Sequence, residues 1–575
     1  MVLSGIREVI WKGMEASNRT ISERLLLMAQ VLEILDENPF KVRAYWRASE
    51  IIGRLATPVA GLSITNLDAM EGIGEGVALK VQEIASSGTF RELEEALSRI
   101  PPGLIDLLNI EGVGPKTAKT LWQKMNITSV ADLERAARAR RIRALKGFGE
   151  KKEALFLRSI ARQKTPATRM NREQADEIIA VIRTVMKEGT WTVAGSYRRG
   201  KSTVGDIDIV TTDDPRRVNS LLHGISDEMI DVGDKKTSFR CKGSRVDVRF
   251  TSPSMFGSML LHLTGSAAFN IRMRELAISK GASLNEYGIV YTSQGISKEF
   301  SREEEVFFYL GLDYIVPELR EDWGEVEAAH SHTLPTLVEQ GQIRGDLHVH
   351  SSWSDGSMDI RSLARAGEEL GYSYLACTDH SSSLGVARGL DEAALKRQAH
   401  EIEMVNRDTS CHILQGIEVD ILADGSPGLP ASALRDLDIV IGSVHSAFSQ
   451  ESDVMTRRII SAVSHEDIDI IGHPTGRLLG QRESYAVDMQ RVIAATAATG
   501  TALECNASPF RMDLDDLHIR EAIQSGVKIS IGTDAHDPRE LHYLPYGLGL
   551  CRRGWATPSD LLNTLTCQEV LEYVS

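Results

Sequence analysis

Nine side chains able to bind metals recur at one kind of position in the C-terminal part of the chain, at the end of a short apolar run. The runs IRGDLHVHSSWSD, YLACTDH, ILQGIEVD, LDIVIGSVH, IDIIGHP and VKISIGTDAH supply His348, His350, Asp355, His380, Glu418, His445, His473, Asp534 and His536. A mixture of imidazoles and carboxylates suits zinc, manganese or iron better than magnesium or calcium alone. Nine groups exceed the roughly four ligands that one zinc ion takes, so two or three ions are implied. A seventh run, GTALECN, carries Glu504 and Asn506 in the same register. A second carboxylate set lies in mid-chain. Asp206 and Asp208 in GDIDIV are two residues apart on a strand and so share a face, and Asp247 in RVDVRF stands on another alternating run that could pair alongside. Such carboxylates repel unless cations sit between them, and three can hold two magnesium ions. The turn AGSYRRG just upstream offers Gly195, Ser196 and Arg199 to phosphate oxygens. This is phosphoryl-transfer chemistry.

The nine-ligand set requires elements that bring distant residues to one pocket. Strand ends in a (β/α) barrel do this, because they converge on one face. Between the apolar runs lie stretches such as DIRSLARAGEELG and DEAALKRQAHEIEMVNR, apolar at three-to-four spacing, as helical crossovers between parallel strands require. Residues 15–160 read as almost wholly helical, punctuated by the turns GIG (Gly72, Gly74), GVG (Gly112, Gly114) and GFG (Gly147, Gly149), each leading into a helix. Such a turn can present free amides to an anion. Lys80, Lys116, Lys119, Lys151 and Lys152 follow them, which favours a phosphate backbone as ligand.

The 575 residues predict three or four domains of ordinary size. The net charge of −15 is unevenly spread: residues 1–170 carry 26 Lys and Arg against 20 Asp and Glu, residues 171–320 carry 20 against 21, and residues 321–575 carry 19 against 39. An acidic region bearing the candidate metal ligands is thus joined to a mildly basic front end. The six scattered cysteines form no C-x-x-C pair, which argues for reduced thiols in a cytoplasm. The start, MVLSGIREVIWKGMEASNR, has no apolar core of signal-peptide length, and no run approaches a membrane span. Polar stretches at 161–171 and 321–342 read as linkers.

At its strand-end motifs (DLHVHS, TDH, GIEVD, SVH, GHP, TDAH) the region from Gly345 to Cys567 resembles a PHP domain, a family of metal-dependent phosphoesterases. The resemblance implies a distorted seven-stranded barrel with a trinuclear centre, and all nine ligand positions carry usable side chains. The three glycine turns resemble helix-hairpin-helix motifs, which hold DNA without reading its sequence. FKVRAYWRAS followed by GIGEGVALKVQEI is similar to the amino-terminal domain of the DNA polymerase X family, which binds the 5′-phosphate side of a gap. On that match Lys41 is a 5′-phosphate contact, Lys80 falls at the deoxyribose-phosphate lyase lysine, and Gly76 replaces another expected lysine. G-S-x-R-R-G followed by G-D-x-D, starting at Gly195 and Gly205, resembles the nucleotidyltransferase core of the same family. Downstream, LTGSAAFNIRMRELA matches the segment that closes on the nucleotide. The match implies sugar-facing Thr264 and Gly265, a minor-groove contact from Asn270 and a template-side contact from Arg274. His262-Leu263 stands where Tyr-Phe is usual.

Together these parts resemble bacterial-type PolX, a DNA polymerase X protein with a C-terminal PHP domain. The fold expected is multidomain: an all-α helix-hairpin-helix N-terminal region, an α+β nucleotidyltransferase core and a distorted (β/α)7 PHP barrel. The expected boundaries are 1–90 for the gap-binding helices, 91–168 for the helix-hairpin-helix fingers, 169–320 for palm and thumb, 321–342 for a linker and 343–575 for the barrel. The resemblance implies a gap-filling repair DNA polymerase with magnesium or manganese at Asp206, Asp208 and Asp247. It also implies a 3′–5′ exonuclease, with possible cleavage at abasic sites, using two or three manganese, zinc or iron ions. Gapped or primer-template DNA and deoxynucleoside triphosphates are the expected partners of a cytoplasmic monomer with no membrane attachment. Two rivals remain at this level: a phosphatase with DNA-binding additions, and a PHP nuclease whose weak polymerase module serves as a DNA-end binder.

Overall fold

The computed structural model describes residues 18–574, apart from 56–58, 71, 111, 146, 165–168, 292–295 and 384–388. Of the amino-terminal stretch without a signal-like core, residues 1–17 therefore lie outside the described residues. The chain divides into two compact units, Met1–Thr168 and Arg169–Ser575.

The first unit is helical, as its periodicity requires. Its longest helices are Asn18–Ile34, Pro39–Arg54, Glu75–Ser87, Pro115–Met125 and Glu150–Lys164. Their apolar faces meet in one core that includes Leu25, Met28, Val81, Ile84, Leu121 and Phe156. Capping sets the helix starts: Asn38 accepts from the Phe40 amide ahead of Pro39, and Ser129 accepts from the Asp132 amide.

The second unit begins with a five-stranded sheet: β1 (Trp191–Val193), β2 (Ile207–Thr211), β3 (Glu228–Val232), β4 (Lys236–Cys241) and β5 (Ser244–Phe250), in the order β1-β2-β5-β4-β3. Only β2 and β5 are parallel, and their register sets Asp208 opposite Asp247. The helices Phe256–Thr264 and Ala267–Ser279 follow, then the small sheet β6 (Ala282–Asn285), β7 (Gly288–Tyr291) and β8 (Ile296–Lys298).

Seven further strands are arranged in sequence order and all parallel: β9 (Gly345–Val349), β10 (Tyr374–Cys377), β11 (His412–Asp420), β12 (Ile439–Ser443), β13 (Ile470–Ile471), β14 (Ala502–Asn506) and β15 (Ile529–Gly532). A bridge from Val349 to Ala535 brings the last strand back to the first, so the barrel is nearly closed. Leu347, Tyr374, Leu414, Ile441 and Ile470 form one apolar cluster with Leu562 and Val570 of the C-terminal segment. A larger cluster packs the strands against crossover helices such as Ile360–Leu370 and Ser452–Val463. Because both faces of each strand are covered, the runs are continuously apolar rather than alternating.

The reading of 321–342 as a linker needs correction. Glu325, Val326, Ala329 and Val338 are buried there, and Val338 donates its amide to the Ala556 carbonyl at 3.0 Å. Polarity misled because Glu325 is satisfied locally, accepting from the amides of Asp322 and Trp323 at 2.7 and 2.6 Å. Of the other expected linker, 165–168 lies outside the described residues.

Candidate active sites

The barrel's strand ends gather the sequence-predicted ligands into three groups, each with its ligand atoms within 4.8 Å of one another: His350, Asp355, His380 and His536; His348, His350 and Asp534; and His380, Glu418 and His445. The ninth, His473, joins through its Nε2, 3.0 Å from Glu418 Oε1. His348 Nε2 and His350 Nε2 approach to 3.2 Å, and His350 Nε2 lies 3.2 Å from Asp534 Oδ1. His350 Nδ1 and His473 Nδ1 are buried without a hydrogen-bond partner. Convergent, desolvated donors of this kind fit a cluster of transition-metal ions. His473 and Asp534 hold left-handed backbone, with φ of 26° and 57°, a strain that non-glycine residues adopt mainly where function demands it.

A further layer of carboxylates orients the imidazoles. Glu504 accepts from His348 Nδ1 at 2.6 Å and from the His473 amide at 2.5 Å, and Asp420 accepts from His445 Nδ1 at 2.7 Å. Such pairing turns the opposite ring nitrogen toward the metal and makes it more basic. Asn506 donates to Asp534 at 3.1 Å, so the seventh run supports the ligands rather than joining them. Asp346, Asp379 and Asp420 were not singled out from the sequence, although each lies inside a quoted motif. Asp379 accepts from the Ser351 amide at 2.8 Å and from Gln398 at 2.6 Å, and Asp346 accepts from the amides of His348 and Thr533, both at 3.1 Å. Arg511 Nε lies 3.1 Å from Asp534 Oδ2 at the edge of the centre, and nothing in the sequence pattern marked it.

The electrostatics are those of a site built around cations. Burial opposes ionisation of Glu418, but His445 and His348 outweigh it and hold the carboxyl well below its usual range. Burial lowers the pKa of His350 to about 4. Burial works against protonation of His445 too, yet Glu418 and Asp420 raise it to about 10.

In the mid-chain centre, Asp206, Asp208 and Asp247 bring one carboxylate oxygen each within 4.8 Å of the others. Burial, then the charges of Asp206 and Asp247, push Asp208 up to about 7. Asp247 is also partly buried, but Arg245 (3.0 Å) and Lys236 (2.8 Å) bond to it and hold its carboxyl below the usual range. Crowded carboxylates that raise one another's pKa in this way are an arrangement that a divalent cation would relieve.

The neighbouring turn Gly195–Arg198 runs directly into Arg199. Arg199 donates to Glu321 at 2.8 Å and to the Thr264 carbonyl at 2.7 Å, so it ties the turn to the Thr264-Gly265 segment. Arg198 donates to the Thr264 hydroxyl at 2.9 Å and pairs with Glu303, which also pairs with the fully buried Arg320. Ser196 is half-buried and Gly205 exposed, and a Cβ on Gly205 would meet Arg169 at 3.0 Å. Gly265 is closely covered: a Cβ there would come within 2.5 Å of Phe269. Asn270 donates to the carbonyls of His262 (2.8 Å) and Gly265 (3.2 Å), and Arg274 reaches His262 Nδ1 at 3.5 Å.

In the helical unit Gly72, Gly112 and Gly147 have φ of 97°, 86° and 88°. Gly74 and Gly114 are the N-caps of Glu75–Ser87 and Pro115–Met125, with nothing within 4 Å of a Cβ placed on either. The backbone is therefore open at Gly74 and Gly114, whereas a Cβ on Gly72 or Gly112 would meet Arg47 or Leu155. Lys116 is 87% exposed beside its turn. Lys80 Nζ lies 3.4 Å from Glu83 and 5.9 Å above the Phe90 ring, whereas Lys41 pairs with Glu92, which Tyr45 also contacts at 2.9 Å.

Five family models match the chain: a helix-hairpin-helix domain over residues 16–90, a SAM-like helix-hairpin-helix tandem over 104–155, the DNA polymerase beta palm over 168–239, the DNA polymerase beta thumb over 259–321 and the PHP domain over 346–508. The chain is 36% identical to the DNA polymerase/3′-5′ exonuclease PolX of Bacillus subtilis (strain 168), over 96% of its own length and 98% of that protein's. It is 30% identical to DNA polymerase lambda of Rattus norvegicus, across 53% of the chain and 56% of the relative. A probable phosphatase of Thermoanaerobacter sp. (strain X514) is 31% identical across 38% of the chain and 89% of the relative.

Proposed function

Because the chain belongs to the PolX family of DNA polymerases with a C-terminal PHP domain, we propose that Asp206, Asp208 and Asp247 form its polymerase centre and that the nine strand-end ligands form its exonuclease centre. The protein is a DNA polymerase and a 3′–5′ exonuclease, and both activities depend on metals. The observation that carries the assignment is the register of β2 and β5, which sets Asp208 beside Asp247 with Asp206 on the same face.

At the polymerase centre, the three aspartates would hold magnesium or manganese, which would supply charge neutralisation for transfer of a nucleotidyl group from a deoxynucleoside triphosphate to a primer 3′-hydroxyl, with pyrophosphate leaving. Gly195 and Ser196 bind the triphosphate, and Arg199 fixes the Thr264-Gly265 backbone against the sugar. Asn270 braces that backbone from below by binding two of its carbonyls. With His262-Leu263 in place of an aromatic pair, exclusion of a ribose 2′-hydroxyl falls to the backbone of this turn. At the exonuclease centre, two or three manganese, zinc or iron ions would be held by the three ligand groups and supply hydrolysis of a terminal phosphodiester. Glu504 and Asp420 hold the imidazoles in orientation, and Arg511 meets the substrate's phosphate. Lys41 and the amides around Gly74 and Gly114 bind the DNA backbone, with Lys116 adding a positive charge. Together these features support short-gap filling in DNA repair. The six free cysteines fit a cytoplasmic setting. Among the described residues no helix is long and apolar enough to cross a membrane.

The Nζ of Lys80 is engaged by Glu83 at 3.4 Å, and we assign Lys80 as a phosphate contact rather than a lyase nucleophile. Loss of borohydride-trapped enzyme on abasic DNA upon Lys80→Ala would reverse this assignment.

The test uses a labelled primer on a one-nucleotide gap with a 5′-phosphate, in manganese, read on a denaturing gel. Extension is expected with nucleotides and shortening without them. Asp206→Ala should stop extension and spare shortening, and His350→Ala should do the reverse. Loss of both activities from either change would refute two independent centres.

A further inference from the structure

The helix Leu544–Arg553 belongs to the barrel by sequence and by packing, since Leu544, Leu548 and Leu550 lie in its apolar cluster. Two of its polar side chains, Tyr546 and Arg553, are seven residues apart and thus on one face. Arg553 reaches the polymerase's phosphate-binding turn directly, and Tyr546 reaches it through Asp176.

Arg553 is fully buried. Its Nε donates to Asp516 of the barrel at 2.7 Å, its Nη1 to the backbone carbonyl of Arg199 at 2.7 Å, and its Nη2 to Glu321 Oε1 at 3.0 Å. That same Glu321 oxygen accepts from Arg199 Nε, and Arg199 in turn binds the Thr264 carbonyl. A continuous chain of charged hydrogen bonds thus runs from the barrel through the turn to the sugar-facing segment. Tyr546 makes a second grip. Its hydroxyl bonds Asp176, whose other oxygen accepts from Tyr197 of the turn at 2.5 Å, while the Arg172 guanidinium lies 4.2 Å over the Tyr197 ring. Mere packing between domains would not select the carbonyl of Arg199 and the carboxylate that orients its side chain.

We propose that Arg553 is a positioning residue for nucleotide binding: the exonuclease barrel completes the polymerase site by clamping residues 195–200, and DNA synthesis depends on this clamp whereas hydrolysis does not. The inference rests on the reading of that turn as the triphosphate site. Without the guanidinium, Asp516 loses its buried partner and Glu321 keeps only Arg199 and Lys201, so the carboxylates would shift and Glu321 would take Arg199 with it.

The test compares full-length Arg553→Met, Arg553→Lys and Tyr546→Phe in steady-state one-nucleotide gap filling and in exonucleolytic shortening without nucleotides. Arg553→Met should raise KM for the deoxynucleotide about tenfold to a hundredfold, as expected when a binding group is displaced by about an ångström, with shortening unchanged. Arg553→Lys should recover part of the loss, and Tyr546→Phe should raise KM to a smaller degree. Unchanged nucleotide KM in Arg553→Met with shortening intact overturns the proposal. If Arg553→Met loses both activities through misfolding, Tyr546→Phe decides: raised KM supports the clamp and unchanged KM overturns it. Ser196→Ala separates the two readings. If it leaves nucleotide KM unchanged, the assignment of the turn itself is wrong; if it raises KM while the clamp variants do not, only the clamp is wrong.

Discussion

At Gly195 the backbone takes φ of 63°, and a Cβ there would collide with the Asp208 carboxylate. Both the left-handed conformation and the missing side chain are needed for β2, which carries Asp208, to lie against the turn Gly195–Arg198. Gly195→Ala should therefore displace Asp208 or the turn and lower extension roughly a hundredfold while shortening continues; normal extension in a gel assay would show that the turn tolerates the shift. The aspartates and strand-end ligands could be read from sequence because their chemistry is explicit in residue type and spacing. Arg511, Arg553 and Glu321 could not. An arginine or a glutamate is ordinary on any surface, and only tertiary contacts reveal that these lie at a centre or inside the protein.

Among the elements, the strand ends position ligands while their immediate neighbours orient them. Glu504→Gln keeps the shape of β14 but weakens the acceptor facing His348 Nδ1, so it should cost about tenfold to a hundredfold in metal affinity or exonuclease rate. Manganese titration of shortening activity measures this, with extension as the internal control. The hairpin turns are proposed to do different work, offering backbone amides to DNA of any sequence. Lys116→Ala should weaken gapped-DNA binding equally on unrelated sequences and reduce the salt slope by about one, as read by fluorescence anisotropy at several salt concentrations. A sequence-dependent effect would contradict a backbone contact. The helical front end was legible from its periodicity and glycine turns, and so were the ligand-bearing barrel strands from the recurrence of apolar runs, whereas their order in the sheet came only from the structure. The segment 321–342 was not, because a buried glutamate satisfied by local amides looks in sequence like a solvated one.

For the whole molecule, the ligand groups make metal loading a matter of stability as well as catalysis. Ions that bind only the folded barrel stabilise it by about 2.7 kcal/mol at a free concentration a hundred times their dissociation constant. Prolonged dialysis against a chelator should thus lower the melting temperature seen by calorimetry and abolish shortening, with manganese restoring both. Identical melting before and after chelation would mean that the ligand shell is held by its own hydrogen bonds alone.

The bond from Arg553 to the Arg199 carbonyl joins residues 354 positions apart. At roughly 5–20 residues per second, a ribosome takes about 18–70 s to make the intervening chain. For that interval the nascent polymerase region exists with its phosphate turn ungripped, and the turn is clamped only after the barrel's last helices have emerged. Truncated chains released by early termination would thus carry the catalytic aspartates but a slack nucleotide pocket, so abortive translation products should compete poorly for nucleotides in the same cell.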